Sequence, residues 1–271
     1  MTGSASPFRP VVLAVWAGYV GETKPAAMSI IQSAVRNRLL GAMQAEDFAL
    51  LQPHLQLRTV GLRDVLIEPG KAIDTVYFPE TGLAAFASPS DVETEVGVVG
   101  REGLIGASVI LDVDRVPLKA AGQIAGEGFS VPVPALLSAV HESWNLWNLF
   151  GRYAHVFMMQ TASTAYANAH FSVEQRLARW LLMTHDRSDG DELELTHEFL
   201  ATMLCVRRPG VTVATHVLEG NGLIKARRGR ITITDRVKLA ALAGNSYGLA
   251  EAEYERVISP KIEKADLRQA V

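Results

Sequence analysis

The sequence predicts an α+β chain whose β-rich N-terminal half leads into a long helix and then a small helical module carrying a basic hairpin. Three observations predict it. Short β-prone runs separated by Gly, Pro and Asp fill residues 57–134, and an unbroken helical pattern covers 143–169. The segment LTHEFLATMLCVRRPGVTVATHVLEGNGLIKARRGRITI then occupies 195–233. With 271 residues, 48% of them hydrophobic, the chain can bury a large core and suits two domains. The single cysteine, Cys205, excludes an intrachain disulfide and a four-cysteine cluster within one chain. Its expected role is that of a small apolar filler in a turn. No apolar run reaches the length of about 18 residues that a membrane span requires.

Taken in order, residues 1–30 read as a disordered extension. VVLAVWAGYV after Arg9 is too short for a signal peptide and is followed by Glu22 and Lys24. Met28 is a candidate start. From Arg36 to Gln56, the positions of Leu39, Leu40, Met43, Phe48, Leu51 and Leu55 predict two short helices. The runs DVLIE, TVYFPE, LAAFAS, EVGVVG, GQIAG and FSVPV have the length and spacing of strands in a sandwich or barrel, making 31–142 one domain. Ala135–Val140 is read as a short helix.

Residues 143–170 are read as one long helix bearing Trp144, Trp147, Phe150, Phe157 and Met158. About 25 helical residues span ~37 Å, enough to cross a domain and pair with a second copy. Ala154, Ala162 and Ala165 permit close approach, and two heptad registers fit. Val173–Met183 repeats the helical period, with Arg176 and Arg179 free to reach a backbone carbonyl or a carboxylate. The acidic run 186–194 is read as a linker, and 171–255 as a second domain before a tail, 256–271.

In that second domain Phe199, Leu200, Met203 and Leu204 lie at helical spacing behind a capping Thr196. Cys205–Arg207 forms a tight turn, and Pro209 fits the first turn of a helix running from Arg208 to Glu219. Val211, Ala214, Thr215 and Leu218 make its packed side, leaving Arg208, Thr212 and His216 opposite. Gly210 lets the backbone approach a phosphate closely. Gly220 and Gly222 end the helix, and LIKA and RITIT flank a turn at Arg228–Arg230. This is a helix-turn-helix followed by a wing. Residues 207–230 carry net +5 in a chain of net −3, the footprint of a duplex-binding face on an acidic protein.

The segments VGREGLIGAS at 99–108, VEQRLARWLLM at 173–183, LATMLCVRRPGVT from Leu200 and NGLIKARRGRITITD ending at Asp235 resemble the Crp/Fnr superfamily of bacterial transcription regulators, over residues 37–254. That resemblance implies a β-roll, cyclic-nucleotide-binding-like sensor, a dimerisation helix and a C-terminal winged helix-turn-helix. It implies double-stranded DNA and a second copy of the chain as partners, and admits RNA polymerase and a small-molecule effector. A cytoplasmic location follows. By position Arg208 matches the family's guanine-contacting Arg. Thr212 and His216 add contacts to bases or phosphates, and Arg207, Lys225, Arg227, Arg228 and Arg230 hold phosphates.

The family's cyclic-nucleotide binders hold the ribose with a Gly-Glu pair, which here reads Gly106-Ala107, beside Ser108. Arg115 and Lys119 lie near the expected cation position in a different local context. A missing carboxylate leaves ribose hydroxyls unpaired, costing about 1–3 kcal/mol per group, which argues against cyclic AMP. No His lies between His54 and His141, so neither a metal site nor haem is expected in the roll. Glu93, Glu95, Glu102 and Asp112 are read as solvated carboxylates. No cofactor or catalytic motif is recognised, and an enzyme is not expected. The alternative is a ligand-sensing or scaffold protein that uses the winged helix for protein contacts.

Overall fold

Asn37 caps the first α-helix, α1 (Arg38–Gly41): its Oδ1 accepts from the amides of Leu39 and Leu40, while its Nδ2 donates to the carbonyls of Pro79 and Gly103. Together with α2 (Ala45–Leu51), this delivers Leu39, Leu40, Phe48 and Leu51 into one core. The structure, a computed structural model, describes residues 30–89 and 94–259. Residues 1–29 of the expected extension, Glu93 and residues 260–271 lie outside the described residues.

The β-prone runs form β1 (Gln56–Val60), β2 (Val65–Ile67), β3 (Thr75–Pro79), β4 (Leu83–Ser88), β5 (Thr94–Val99), β6 (Lys119–Ile124) and β7 (Gly126–Pro132). They pair antiparallel in two sheets, β1-β7-β3 and β2-β6-β4-β5. The chain then enters α3 (Val133–Glu142) and α4 (Trp144–His170). Ser143 caps α4, accepting from Leu146 N and donating to Asp47 Oδ1. Leu146, Leu149, Phe150, Tyr153 and Val156 of α4 seal the core between the sheets.

A Ser172–Gln175 capping box opens α5 (Val173–His185), which leads through β8 (Glu192–Leu193) to α6 (His197–Met203) and α7 (Arg208–Gly220). The wing strands β9 (Ile224–Arg227) and β10 (Arg230–Ile233) pair with each other, and β8 adds to β10. These elements share a second core of Leu177, Leu181, Leu200, Val211, Leu218 and Ile231. Arg179 is buried, donating to Ser246 O and Thr164 Oγ1, and Arg176 reaches Leu204 O.

β4 and β5 are covered on both faces. Ala84 and Phe86 point into the first core, whereas Leu83, Ala85 and Val98 join the second. The sheet β2-β6-β4-β5 is therefore a wall shared by both modules, in keeping with its nearly continuous apolar run. Across that wall Trp180 Nε1 donates to Glu95 Oε2 at 2.8 Å. Burial pushes the Glu95 carboxyl up to about 7, against the opposing effects of the Trp180 hydrogen bond, Arg179 and Arg187.

Several expectations are corrected by packing. The run 186–194 opens as a turn, as a linker-like segment should, but it is tied down by ion pairs. Asp189 pairs with Arg36 and Arg101 at 2.6 and 3.0 Å, and Asp186 with Arg236 at 2.5 Å and the Tyr247 hydroxyl at 2.7 Å. Glu95 and Glu102 are not solvated, since Glu102 accepts from the buried Arg187 Nε at 2.9 Å. Cys205 is exposed rather than a filler, because it occupies a turn at φ 50°. After the wing, α8 (Arg236–Ala243) lies on α5, and α9 (Leu249–Val257) returns to α4. There Tyr254 enters the sensor core and donates to Glu102 O at 2.8 Å, with the Arg38 guanidinium over its ring.

Candidate nucleic-acid interface

The helix-turn-helix is built by local rules. Thr196 Oγ1 accepts from Phe199 N to start α6, and Val206 N donates to Ala201 O to close the turn. Pro209 occupies the first turn of α7, where its missing N–H leaves no bond unmade. Val211, Ala214, Thr215 and Leu218 are buried as expected, which fixes the rotation of α7 on its neighbours.

That rotation sets which side chains face outward. Arg207, Arg208, Pro209, Val213, His216, Val217 and Gly220 are exposed. Thr212 is only half-exposed, its Oγ1 donating to Arg208 O and lying 3.2 Å from His197 Nδ1. With 100° per residue, the outward face centres near Pro209, Val213 and His216, with Arg208 and Thr212 along its edge. Sequence reasoning missed Val213 and Val217, although neither belongs to the buried set at 211, 214, 215 and 218. Gly210 has nothing closer to an added Cβ than Val206, at 4.0 Å, so no internal contact requires a glycine there.

In the wing, Arg227 pairs with Arg230 in register and Gly229 turns the chain at φ 75°. Glu219 Oε1 accepts from Ala226 N at 3.0 Å, tying the wing to α7 and removing that carboxylate from the reading face. Among the described residues, no carboxylate lies within ion-pair distance of Arg207, Lys225, Arg227 or Arg228. Arg230 is engaged by Glu192 at 3.1 Å and Glu194 at 3.8 Å, while Arg208 meets Glu198 only at 4.0 Å. The latter pair is largely exposed and contributes little. Burial and then the charges of Arg208 and His216 hold the His197 imidazole below its ordinary value, a local sign of a cationic surface.

A second candidate site lies between the sensor sheets and α4. Gly106, at φ 95° and with Val76 Cγ1 3.1 Å from an added Cβ, turns the chain so that Ala107 and Ser108 line a cavity of about 310 Å³. Phe86, Leu104, Phe157 and Met158 make most of its wall, and among the described residues no charged one lines it. Ser108 Oγ, at this wall, is buried without a hydrogen-bond partner, whereas the Tyr153 hydroxyl lies against the Leu104 backbone, on the side of Glu102 and Arg187. The structure does not bring Arg115 or Lys119 to the cavity: Arg115 is exposed and paired with Asp114 at 2.9 Å. Among the described residues no group of three or more His, Cys, Asp or Glu converges, and no helix is long and apolar enough to cross a membrane.

Residues 175–242 match the Crp-like helix-turn-helix domain. No curated protein matches the chain. Among solved structures, FixK2 from Bradyrhizobium japonicum aligns with a TM-score of 0.61 at 14% identity, covering 69% of this chain and 96% of that one. A CRP-family transcriptional regulator from Thermus thermophilus gives 0.56 at 19%, covering 69% and 96%. The c-di-GMP-responsive global regulator CLP from Xanthomonas campestris gives 0.56 at 18%, covering 70% and 99%. At such identities the likeness is one of fold. The chain thus carries a Crp-like helix-turn-helix domain over α5 to α8 and shares the overall fold of these regulators.

Proposed function

We propose that the protein is a homodimeric, sequence-specific DNA-binding regulator that reads an inverted repeat with α7. The observation that carries this reading is the exposed cationic rim of Arg207, Arg208, Lys225, Arg227 and Arg228 around a helix docked by its apolar side. Two α7 helices enter successive major grooves about 34 Å apart. Arg208 makes a bidentate contact to guanine O6 and N7, and His216 adds a base or phosphate contact. Thr212 acts at the edge of that face, while Arg207, Lys225, Arg227, Arg228 and Arg230 hold phosphates.

An outward stripe on α4 supports the dimer. Trp144, Trp147, Gly151, Ala154, Met158, Thr161 and Ala165 follow one another at alternating steps of three and four, the signature of a two-helix seam. Trp144 and Trp147, 69% and 40% exposed, stack on each other at 4.7 Å. This favours the heptad register that places these residues in the seam. Ala154, Met158 and Thr161 also line the sensor cavity, so a ligand there touches the dimer helix directly.

The cavity suits an uncharged, mostly apolar effector with one polar atom for Ser108 Oγ. A cyclic nucleotide finds neither a carboxylate for its ribose nor a cation for its phosphate there. Selection of duplexes from a random pool tests the DNA reading, with Arg208→Ala and Arg228→Ala as probes. Arg208→Ala should relax one base pair by about 1–3 kcal/mol, whereas Arg228→Ala should weaken all sequences alike and flatten the salt dependence. Wild-type affinity and salt slope in both variants refute the assignment.

A further inference from the structure

The outward face of α7 carries two valines whose exposure the fold does not explain. Val213 is 59% and Val217 40% exposed, while Val211 on the same helix is fully buried. β-branched residues are mediocre helix formers, and leaving their methyls in water forgoes burial. An i, i+4 pair forms one continuous apolar strip along the helix. Its surroundings define the partner. Pro209, His216 and Gly220 share the face, Arg207 and Arg208 stand at its N-terminal end, and no carboxylate of α7 points outward there, since Glu219 is occupied by the wing. A strip of methyls framed by cations fits the major groove, where thymine alone offers a methyl group at its base edge.

We propose that Val213, extended by Val217, specifies thymine by packing against its 5-methyl group. The proposal rests on the DNA-binding reading above. It differs from the contact assigned to Arg208 in kind, because it reads shape and hydrophobicity rather than hydrogen bonds. Val213 lies about 7–8 Å along the helix axis from Arg208, so the two side chains address different base pairs.

The test uses the full chain and the duplex that it enriches from a random pool. Each thymine is replaced in turn by deoxyuridine, which deletes only the methyl group. Wild-type protein should lose about fourfold in affinity at one symmetry-related thymine position per half-site. Val213→Ala should bind more weakly yet become indifferent to that substitution, with its salt slope unchanged and its helical circular dichroism retained. Val217→Ala should reduce the same sensitivity without abolishing it. Enrichment of a duplex that tolerates deoxyuridine everywhere overturns methyl reading alone. So does a sensitivity that survives undiminished in Val213→Ala. Failure to enrich any sequence overturns the DNA reading itself, and this inference with it.

Discussion

Replacing Glu95 by Gln isolates the buried contact that joins the sensor sheet to the helix-turn-helix module. Glu95 lies on β5, is 3% exposed, and accepts from the indole of Trp180 on α5. Burial raises its pKa from 4.5 to about 7, so between these values the folded protein keeps a proton that the unfolded chain has released. Stability from this group is complete below the unfolded value and lost as pH rises through the folded one. At 1.36 kcal/mol per pKa unit, the loss across the window is about 3 kcal/mol. Gln retains an acceptor for Trp180 and cannot ionise. The denaturant midpoint should therefore fall between about pH 5 and about pH 8 in the wild type by more than in Glu95→Gln, so that the variant gains on the wild type as pH rises. Parallel pH profiles for the two proteins would refute the reasoning. So would a variant whose stability drops most on the alkaline side.

Other outcomes follow from packing. Arg187→Met leaves Glu102 without its partner at the junction of sensor and α5, and should cost about 3 kcal/mol in chemical denaturation. Tyr254→Ala removes a ring that is 4% exposed and its hydrogen bond to Glu102 O, and should cost about 3–5 kcal/mol, read as a lowered melting temperature. Trp144→Ala with Trp147→Ala leaves the monomer fold intact, since both rings are exposed. It should raise the dimer dissociation constant at least about tenfold by sedimentation equilibrium.

Local chemistry was readable without the structure wherever one residue type imposes one backbone outcome. Thr196 and Ser143 mark helix starts, Pro209 places the beginning of α7, and Gly229 turns the wing. The periodicity of Val211, Ala214, Thr215 and Leu218 alone identified the side of α7 that is packed. The segregation of charge into residues 207–230 likewise needed no coordinates.

Residues that meet only across long stretches of chain were not readable. Nothing near Glu95 announces Trp180, 85 residues away, and a carboxylate on a strand ordinarily faces water. LAAFAS reads as a strand but gives no hint that both faces are covered, because its second partner is the helix-turn-helix core. Asp186 and Asp189 look like linker residues until Arg36, Arg101 and Arg236 converge on them. The loss of the Gly-Glu pair could be seen in sequence, but only closure of α4 over the sheets revealed an apolar cavity without a charged wall.

Sequence by itself determined most of the strands of the N-terminal half, the long helix and the helix that carries the positive charge, since propensity, capping and periodicity act over a few neighbouring residues. Tertiary structure alone decided the rotation of α7 that turns Val213 outward, the exposed stripe left on α4, and the docking of α9 on the N-terminal module. These depend on which apolar surfaces remain uncovered once distant parts of the chain have packed, and burial free energy is a property of that whole arrangement.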